Sequence, residues 1–211
     1  FKLIENGFPS EKCEVLPNFY NEEIKGLNYD IAKRNYIAFA GRISPEKGIL
    51  DLLEAARELR HIQFRLAGSV RENYLMELQI PENVEFVGML NPEKLSDFYS
   101  NARFLLFTSI WYEGFPMVFP EAMAHKLPII APNMAAYPEI VERNKNGLLY
   151  EPRNIESLVK TIDKMWKNPL LCEKLGENGF EKVNKKYSKE FYYNQLDYNY
   201  RKVVESNKGT A

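Results

Sequence analysis

Six short runs of apolar residues, separated by longer stretches with helical periodicity, restrict the possible folds of this chain more than any other feature. They predict strands at residues 36–40, 64–67, 84–87, 104–107, 129–131 and 148–150. The runs lack a period of two, which is typical of strands buried on both faces of a parallel sheet. Because helical segments lie between them, we predict an α/β fold, with a doubly wound parallel β-sheet and helices on both faces.

The helical segments can be located from their periodicity and from their breaks. Residues 47–59 place apolar side chains on one helical face, and residues 92–100 begin with a proline suited to a first helical turn. Residues 154–202 are predicted to be helical, with breaks at Pro169 and near residues 187–188. Aromatic residues give the last helix an apolar side that we interpret as a packing surface, formed by Phe191, Tyr192, Tyr193, Tyr198 and Tyr200.

These segments predict three parts of the chain. Residues 1–34 form a linker or a remnant of a preceding domain, residues 35–168 form the α/β domain, and residues 169–211 form C-terminal helices. The chain starts in the middle of a pattern and without methionine, so we expect it to be a fragment of a longer protein.

Charge balance and cysteine spacing exclude several classes of function. The 28 lysine and arginine residues nearly balance the 29 aspartate and glutamate residues, so a surface that binds nucleic acid is not expected. Cys13 and Cys172 lie far apart and match no metal-ligand spacing, which favours a reduced, cytoplasmic protein. No apolar run reaches the ~18 residues of a membrane span, and no signal-peptide pattern opens the chain.

The segment A-G-R-I-S-P-E-K-G, residues 40–48, follows the first predicted strand. The planar fork of Arg42 and the point charge of Lys47 suit a diphosphate, and ligands of such sheets bind beyond the carboxyl ends of the strands. Alternatively, Arg42 and Lys47 are ordinary surface cations that bind no ligand. The segment contains neither the glycine pattern of a dinucleotide-binding loop nor that of a phosphate-binding loop.

The segment E-G-F-P-M-V-F-P-E, residues 113–121, joins the fourth strand to a short predicted helix. Pro116 is placed at the first helical turn, and the backbone N–H groups of Phe115, Met117 and Val118 are expected to favour an anion there. Gly114 allows backbone to approach a ligand closely, and carboxylates such as Glu121 can accept both donors of a vicinal diol. Alternatively, acids near a helix start are favoured by the helix dipole alone.

Together these motifs resemble the retaining nucleotide-sugar glycosyltransferases of the GT-B fold, known as group 1 or family 4. The family signature E-x7-E matches Glu113 to Glu121, and its G-R-x4-K-G segment matches Gly41-Arg42 followed by Lys47-Gly48. V-E-F-V-G (84–88) and N-G-L-L-Y-E-P (146–152) resemble two further family segments. The resemblance covers about residues 14–168 and implies that the α/β domain is the Rossmann-like, donor-binding C-terminal half of a GT-B enzyme.

The resemblance also implies roles for individual residues. Arg42 and Lys47, next to Gly41, would hold the diphosphate and offset its charge as the glycosidic bond breaks. Glu113 would contact hydroxyls of the donor sugar and Glu121 those of the ribose; Arg42, Lys47 and Glu113 form the predicted catalytic set. The remaining donor-binding residues are Met89 and Leu90 along the nucleobase, and Gly114, Phe115, Pro116, Met117 and Val118 through backbone groups. The family implies no metal or other cofactor.

Two positions depart from the family pattern. The family often ends its E-A-M-A helix with Cys-Gly, whereas this chain has His125-Lys126, so the turn is expected to differ locally, and we interpret His125 as structural. A frequent Gly-Gly pair is replaced by Ala135-Ala136, which puts the sugar preference in doubt more than nucleotide binding.

We therefore predict the donor-binding half of a retaining glycosyltransferase that moves a sugar from a nucleoside diphosphate to a glycan, lipid-linked or small-molecule acceptor. The acceptor would bind through a missing N-terminal domain, toward which the last helix would pack, and the whole protein could associate peripherally with the inner face of the membrane. Two alternatives remain open: a sugar-nucleotide-binding module without catalysis, and a GT-B-related nucleotide-sugar isomerase.

Overall fold

A computed structural model describes residues 2–20, 34–70 and 74–208 of the 211-residue chain. Six strands form one parallel sheet in the order β3-β2-β1-β4-β5-β6. The strands are β1 Tyr36–Ala40, β2 Gln63–Ala67, β3 Val84–Gly88, β4 Ala102–Leu106, β5 Ile129–Pro132 and β6 Gly147–Tyr150. All six predicted strands are present, and the predicted doubly wound parallel sheet is confirmed.

Helices cover both faces of this sheet. They are α1 Lys2–Glu5, α2 Ile49–Glu58, α3 Pro92–Asn101, α4 Val118–Ala124, α5 Tyr137–Ile140, α6 Ile155–Trp166, α7 Pro169–Lys186 and α8 Lys189–Lys208. Alternate side chains of β1 enter two separate cores, because successive residues of a strand point to opposite faces. Ile37 packs with residues of α2 and α6, whereas Ala38 packs with residues of α3 and α4.

Two helices begin later than the sequence predicted. Lys47 belongs to a separate 3₁₀ turn, Pro45–Lys47, and α2 begins at Ile49 because Gly48 between them is left-handed, with a φ of 68°. Pro116 likewise precedes α4, which begins at Val118. The carbonyl of Pro116 accepts a hydrogen bond from the N–H of Phe119, three residues on, which is the tighter 3₁₀ pattern common at helix ends.

The C-terminal helices break at the predicted positions, between α6 and α7 and between α7 and α8. Cys172 and Leu175 of α7 are buried in one core and Val183 in the other. The segment before residue 21 lies along α8: the ring of Phe19 is 4.7 Å from that of Tyr192. The three predicted parts of the chain stay a prediction, although α7 contributes to the same cores as the sheet. None of the described helices is long and apolar enough to cross a membrane.

Candidate functional site

The site predicted from the sequence lies where the strand order of the sheet reverses. The chain moves outward from β1 to β2 and β3, and then returns to β4 on the other side of β1. The loops that follow β1 and β4 consequently diverge in the crevice at the carboxyl edge, which is where ligands of open α/β sheets bind. Arg42 and Lys47 follow β1, and Glu113 follows β4.

The backbones of these two loops are in direct contact. The hydroxyl of Thr108 donates to the carbonyl of Lys47 at 2.9 Å, and the N–H of Ile110 donates to the carbonyl of Glu46 at 3.1 Å. A Cβ atom at Gly48 would lie 1.9 Å from the carbonyl oxygen of Thr108, so only glycine fits this approach. The loop after β1 is therefore held against the loop after β4 by contacts that do not involve the charged side chains.

An ion pair joins the two loops at this point. Nζ of Lys47 lies 2.8 Å from Oε1 of Glu113, and their side chains are 18% and 22% exposed. The hydroxyl of Ser109 donates to the same oxygen at 2.9 Å. Within the described part of the chain, Oε2 of Glu113 has no hydrogen bond or ion pair. The carboxylate is thus fixed through one oxygen, while the other can accept hydrogen bonds from a ligand.

Tyr137 fixes the loop that carries Glu113. Its hydroxyl donates to the carbonyl of Trp111 at 2.5 Å and accepts a bond from the N–H of Glu113 at 3.3 Å. The ring is buried among Phe107 and Phe119. Burial raises the pKa of Tyr137, so the phenol stays protonated and remains a donor. The position of Glu113 is consequently determined by a residue of α5 as well as by its own loop.

Arg42 is placed on the same loop but is oriented differently. Its side chain is 70% exposed, and its guanidinium pairs with Glu46 at 3.6 Å. This pair is too exposed to contribute much to stability. The structure thus brings Lys47 and Glu113 together directly, whereas it places Arg42 at the solvent-facing side of the loop.

Glu121 lies in the first turn of α4 and faces α3. Its Oε2 accepts a hydrogen bond of 2.8 Å from the hydroxyl of Tyr99. A cavity of 150 Å³ between the two helices is lined by Glu121 and Tyr99, and also by Leu90 from the loop after β3. The predicted ribose residue and one of the predicted nucleobase residues therefore line the same cavity.

The other predicted donor-binding residues surround these positions. Met89 is exposed, next to Leu90. Gly41 directly follows β1 and has a φ of 146°. No atom lies within 4 Å of a Cβ built on Gly114. Phe115 packs its ring on Tyr187, and Pro116 is buried. Met117 and Val118 form the start of α4.

At each of the two sites that depart from the family pattern, one residue still adopts the left-handed backbone conformation that favours glycine. Lys126 has a φ of 52° and Ala135 a φ of 53°, both in the left-handed region. We expected the turn at His125-Lys126 to differ locally, but its backbone does not show this, because Lys126 adopts the left-handed conformation that a glycine would adopt. His125 is buried, and its Nδ1 lies 2.8 Å from the carbonyl of Glu121.

Sequence reasoning missed several residues that fix the site. Ser109 binds Glu113, Tyr137 holds its loop, and Tyr99 binds Glu121. Ser109 could have been found, because it lies two residues beyond the apolar run 104–107. No sequence signal pointed to Tyr99 and Tyr137, since each acts across a contact between elements distant in sequence.

Residues 2–20, 34–70 and 74–208 contain no group of three or more histidine, cysteine, aspartate or glutamate side chains placed to hold a metal ion. Metal independence stays a prediction.

Fold and site together define a doubly wound α/β domain with charged loops at its switch point. The chain belongs to the group 1 glycosyl transferases, whose family model matches residues 22–182. It is 31% identical over 191 residues to an uncharacterized glycosyltransferase of Methanocaldococcus jannaschii, covering 88% of this chain and 52% of that protein. It is 29% identical to the alpha-galactosylglucosyldiacylglycerol synthase of Streptococcus pneumoniae, covering 89% of this chain and 54% of the synthase.

A solved structure shares the fold. HepE of Anabaena, in complex with UDP and glucose, superposes with a TM-score of 0.80 at 19% identity, covering 94% of this chain and 59% of HepE. The predicted Rossmann-like half of a GT-B fold is thereby confirmed. The chain spans about half the length of the curated relatives that it matches.

Proposed function

We propose that this chain is the donor-binding half of a retaining, family 4 glycosyltransferase, which moves a sugar from a nucleoside diphosphate to an acceptor. The observation that carries the proposal is the ion pair between Lys47 and Glu113, which joins the loops after β1 and β4 at the switch point of the sheet. A cation and an acid that converge there can bind the diphosphate and the sugar of one donor molecule.

Each part of the donor has a matching group. Lys47 holds the diphosphate, and Arg42 turns from Glu46 to contact it. Oε2 of Glu113 accepts hydrogen bonds from hydroxyls of the sugar, since Oε1 is occupied by Lys47 and Ser109. Glu121 binds the ribose, and Leu90 lies along the nucleobase in the same cavity.

The chemistry assigned to these residues is electrostatic. As the bond between sugar and diphosphate breaks, negative charge develops on the leaving phosphate, and Lys47 and Arg42 stabilise it. Lys47 and Arg42 together fill the role that a divalent metal has elsewhere, so the reaction is proposed to be metal-independent. Retention of configuration is part of the proposal, and the anomer formed by the whole enzyme, measured by NMR, tests it.

The names of two similar proteins support the proposed donor and acceptor classes. HepE was solved with UDP and glucose, which makes UDP-sugars the first donors to test. The pneumococcal synthase is named for a glycosylated diacylglycerol. A lipid-linked acceptor bound through another part of the protein, with peripheral association at the inner face of the membrane, accords with that name.

Calorimetric titration with UDP, GDP, ADP and their sugars tests donor binding. We expect one nucleotide to bind, and Lys47→Ala to weaken it by roughly 10- to 150-fold, the value of a charge-assisted hydrogen bond. Arg42→Ala should weaken it in the same direction.

Lys126→Ala is the matched control for this titration. It removes an ion pair with Glu177 in which the lysine is buried to nearly the same degree as Lys47. Lys126 follows α4, at the opposite edge of the sheet, so its loss should leave the affinity unchanged. Equal affinities of the Lys47→Ala and wild-type proteins for every nucleotide would contradict the proposed role of the ion pair.

A further inference from the structure

Two side-chain hydrogen bonds link α3 to α4 and its C-terminal cap, beside the cavity lined by Glu121. Ser96 and Tyr99 are three residues apart on α3, and Glu121 of α4 lies four residues before His125, which caps that helix. These spacings place each pair on one face of its helix. The hydroxyl of Tyr99 bonds to Oε2 of Glu121 at 2.8 Å, and Oγ of Ser96 lies 2.9 Å from Nε2 of His125.

These two hydrogen bonds have different consequences for Glu121. Nδ1 of His125 lies 2.8 Å from the carbonyl of Glu121, which can only accept, so this nitrogen carries a proton and donates it. The link from the Ser96 hydroxyl through the His125 ring therefore ends on the backbone carbonyl of Glu121. The bond from Tyr99 instead ends on the carboxylate itself, so it selects a rotamer of the Glu121 side chain.

Tyr99 is well suited to hold that carboxylate in one orientation. Its side chain is 1% exposed, and its ring packs on Phe98 and on His125. Burial, and secondly the negative charge of Glu121, raise the pKa of Tyr99 well above its usual value. The phenol therefore stays protonated and donates over the whole physiological range. A carboxylate can accept several hydrogen bonds, so the bond from Tyr99 leaves it able to contact a ligand as well.

We propose that Tyr99 is a positioning residue, whose hydroxyl orients the Glu121 carboxylate toward the ribose hydroxyls of the donor. This inference rests on the proposed function, because it requires Glu121 to contact the ribose. Tyr99 touches no reacting group itself. Because Tyr99 already restricts the carboxylate in the free protein, less side-chain entropy is lost when the nucleotide binds.

The test compares the affinities of UDP and 2′-deoxy-UDP for four proteins: wild type, Glu121→Gln, Tyr99→Phe and Tyr36→Phe. GDP or ADP and its 2′-deoxy form replace them if the wild type prefers that base. Tyr36→Phe is a matched control, since Tyr36 is buried and its hydroxyl donates to the carbonyl of Phe98, also in α3. A general weakening of α3 should therefore appear in both tyrosine variants.

We expect Glu121→Gln to abolish the preference for the ribonucleotide, and Tyr99→Phe to lower that preference by about 3- to 10-fold. Tyr36→Phe should keep the wild-type preference, whatever its effect on stability. Unchanged preference in Tyr99→Phe, with loss in Glu121→Gln, overturns the positioning role and leaves the proposed function standing. Unchanged preference in Glu121→Gln, or no binding of any of the three nucleotides to the wild type, overturns the ribose assignment and this inference with it.

Discussion

Ala135 has a backbone φ of 53°, in a region that residues with a Cβ atom rarely adopt. It lies on the exposed segment between β5 and α5, where the family often has the first of two glycines. The neighbouring Ala136 has a φ of −87°, which suits alanine. Adjacent alanines thus differ in backbone strain, although the sequence alone treats them alike.

We predict that Ala135→Gly stabilises the protein by about 0.5–1 kcal/mol. Left-handed geometry costs alanine roughly 1–2 kcal/mol, and glycine gives back part of the gain through its larger unfolded-state entropy. The free energy of unfolding, measured in urea, checks this. The same change at Ala136 should destabilise the protein, and similar effects of the two substitutions would contradict the argument from strain.

At the scale of elements, α7 holds the segment that leads from α5 to β6. Lys182 of α7 is almost buried, with 8% of its side chain exposed, and donates to the carbonyls of Glu139 and Ile140 and to Oε1 of Glu142. Hydrogen bonds from Lys145 and Lys182 lower the pKa of Glu142 to about 2. Burial lowers the pKa of Lys182 despite this pairing, an effect that acts at alkaline pH.

The lowered pKa of Glu142 predicts a pH dependence of stability. A carboxyl whose pKa is lower in the folded state stabilises the protein at pH values above its unfolded-state pKa of 4.5. This contribution is lost as the pH falls toward 2. Glu142→Gln should therefore be less stable than wild type at pH 7. The difference should shrink steadily between about pH 4.5 and pH 2, as measured by urea unfolding at several pH values.

Glu156→Gln is the control for this pH dependence. Glu156 also has a lowered pKa and a lysine partner, Lys160, but that pair is exposed to solvent. Exposed pairs contribute little to stability, so this variant should follow the wild type. A constant difference between Glu142→Gln and wild type across the whole pH range would rule out the assigned cause.

At the scale of the whole molecule, the chain spans about half the length of its curated relatives. We predict that it binds a sugar nucleotide weakly and transfers no sugar by itself, because the acceptor is proposed to bind through another part of the protein. Release of nucleoside diphosphate, followed with and without acceptor, measures this; the Lys47→Ala protein gives the background rate. Acceptor-dependent release by the 211-residue chain, above that background, would contradict the prediction.

The exposed apolar surface of the last helix also concerns the whole molecule. The described part of α8 exposes Tyr193, Tyr198, Tyr200, Val203 and Val204. Phe19 covers part of the helix near Tyr192 and Tyr193. The expectation that the remaining apolar surface packs toward another half of the enzyme stays a prediction.

The sequence by itself determined the order of the six strands, the longer helices and the two charged segments, but not the short helices α1 and α5. Apolar runs such as Tyr36–Ala40 are local signals, as is the spacing from Glu113 to Glu121. Local signals also misplaced two helix starts, because Lys47 and Pro116 belong to 3₁₀ turns that periodicity does not resolve.

Only the tertiary structure decided which of the charged residues meet. Lys47 reaches Glu113 because parallel pairing puts β1 beside β4, so that their two loops end in one crevice. Arg42, five residues from Lys47, instead pairs with Glu46 at the surface. Tyr99 and Tyr137 act across contacts between elements distant in the chain. Contacts of this kind depend on how helices pack on the sheet, and a single sequence carries no local pattern for that packing.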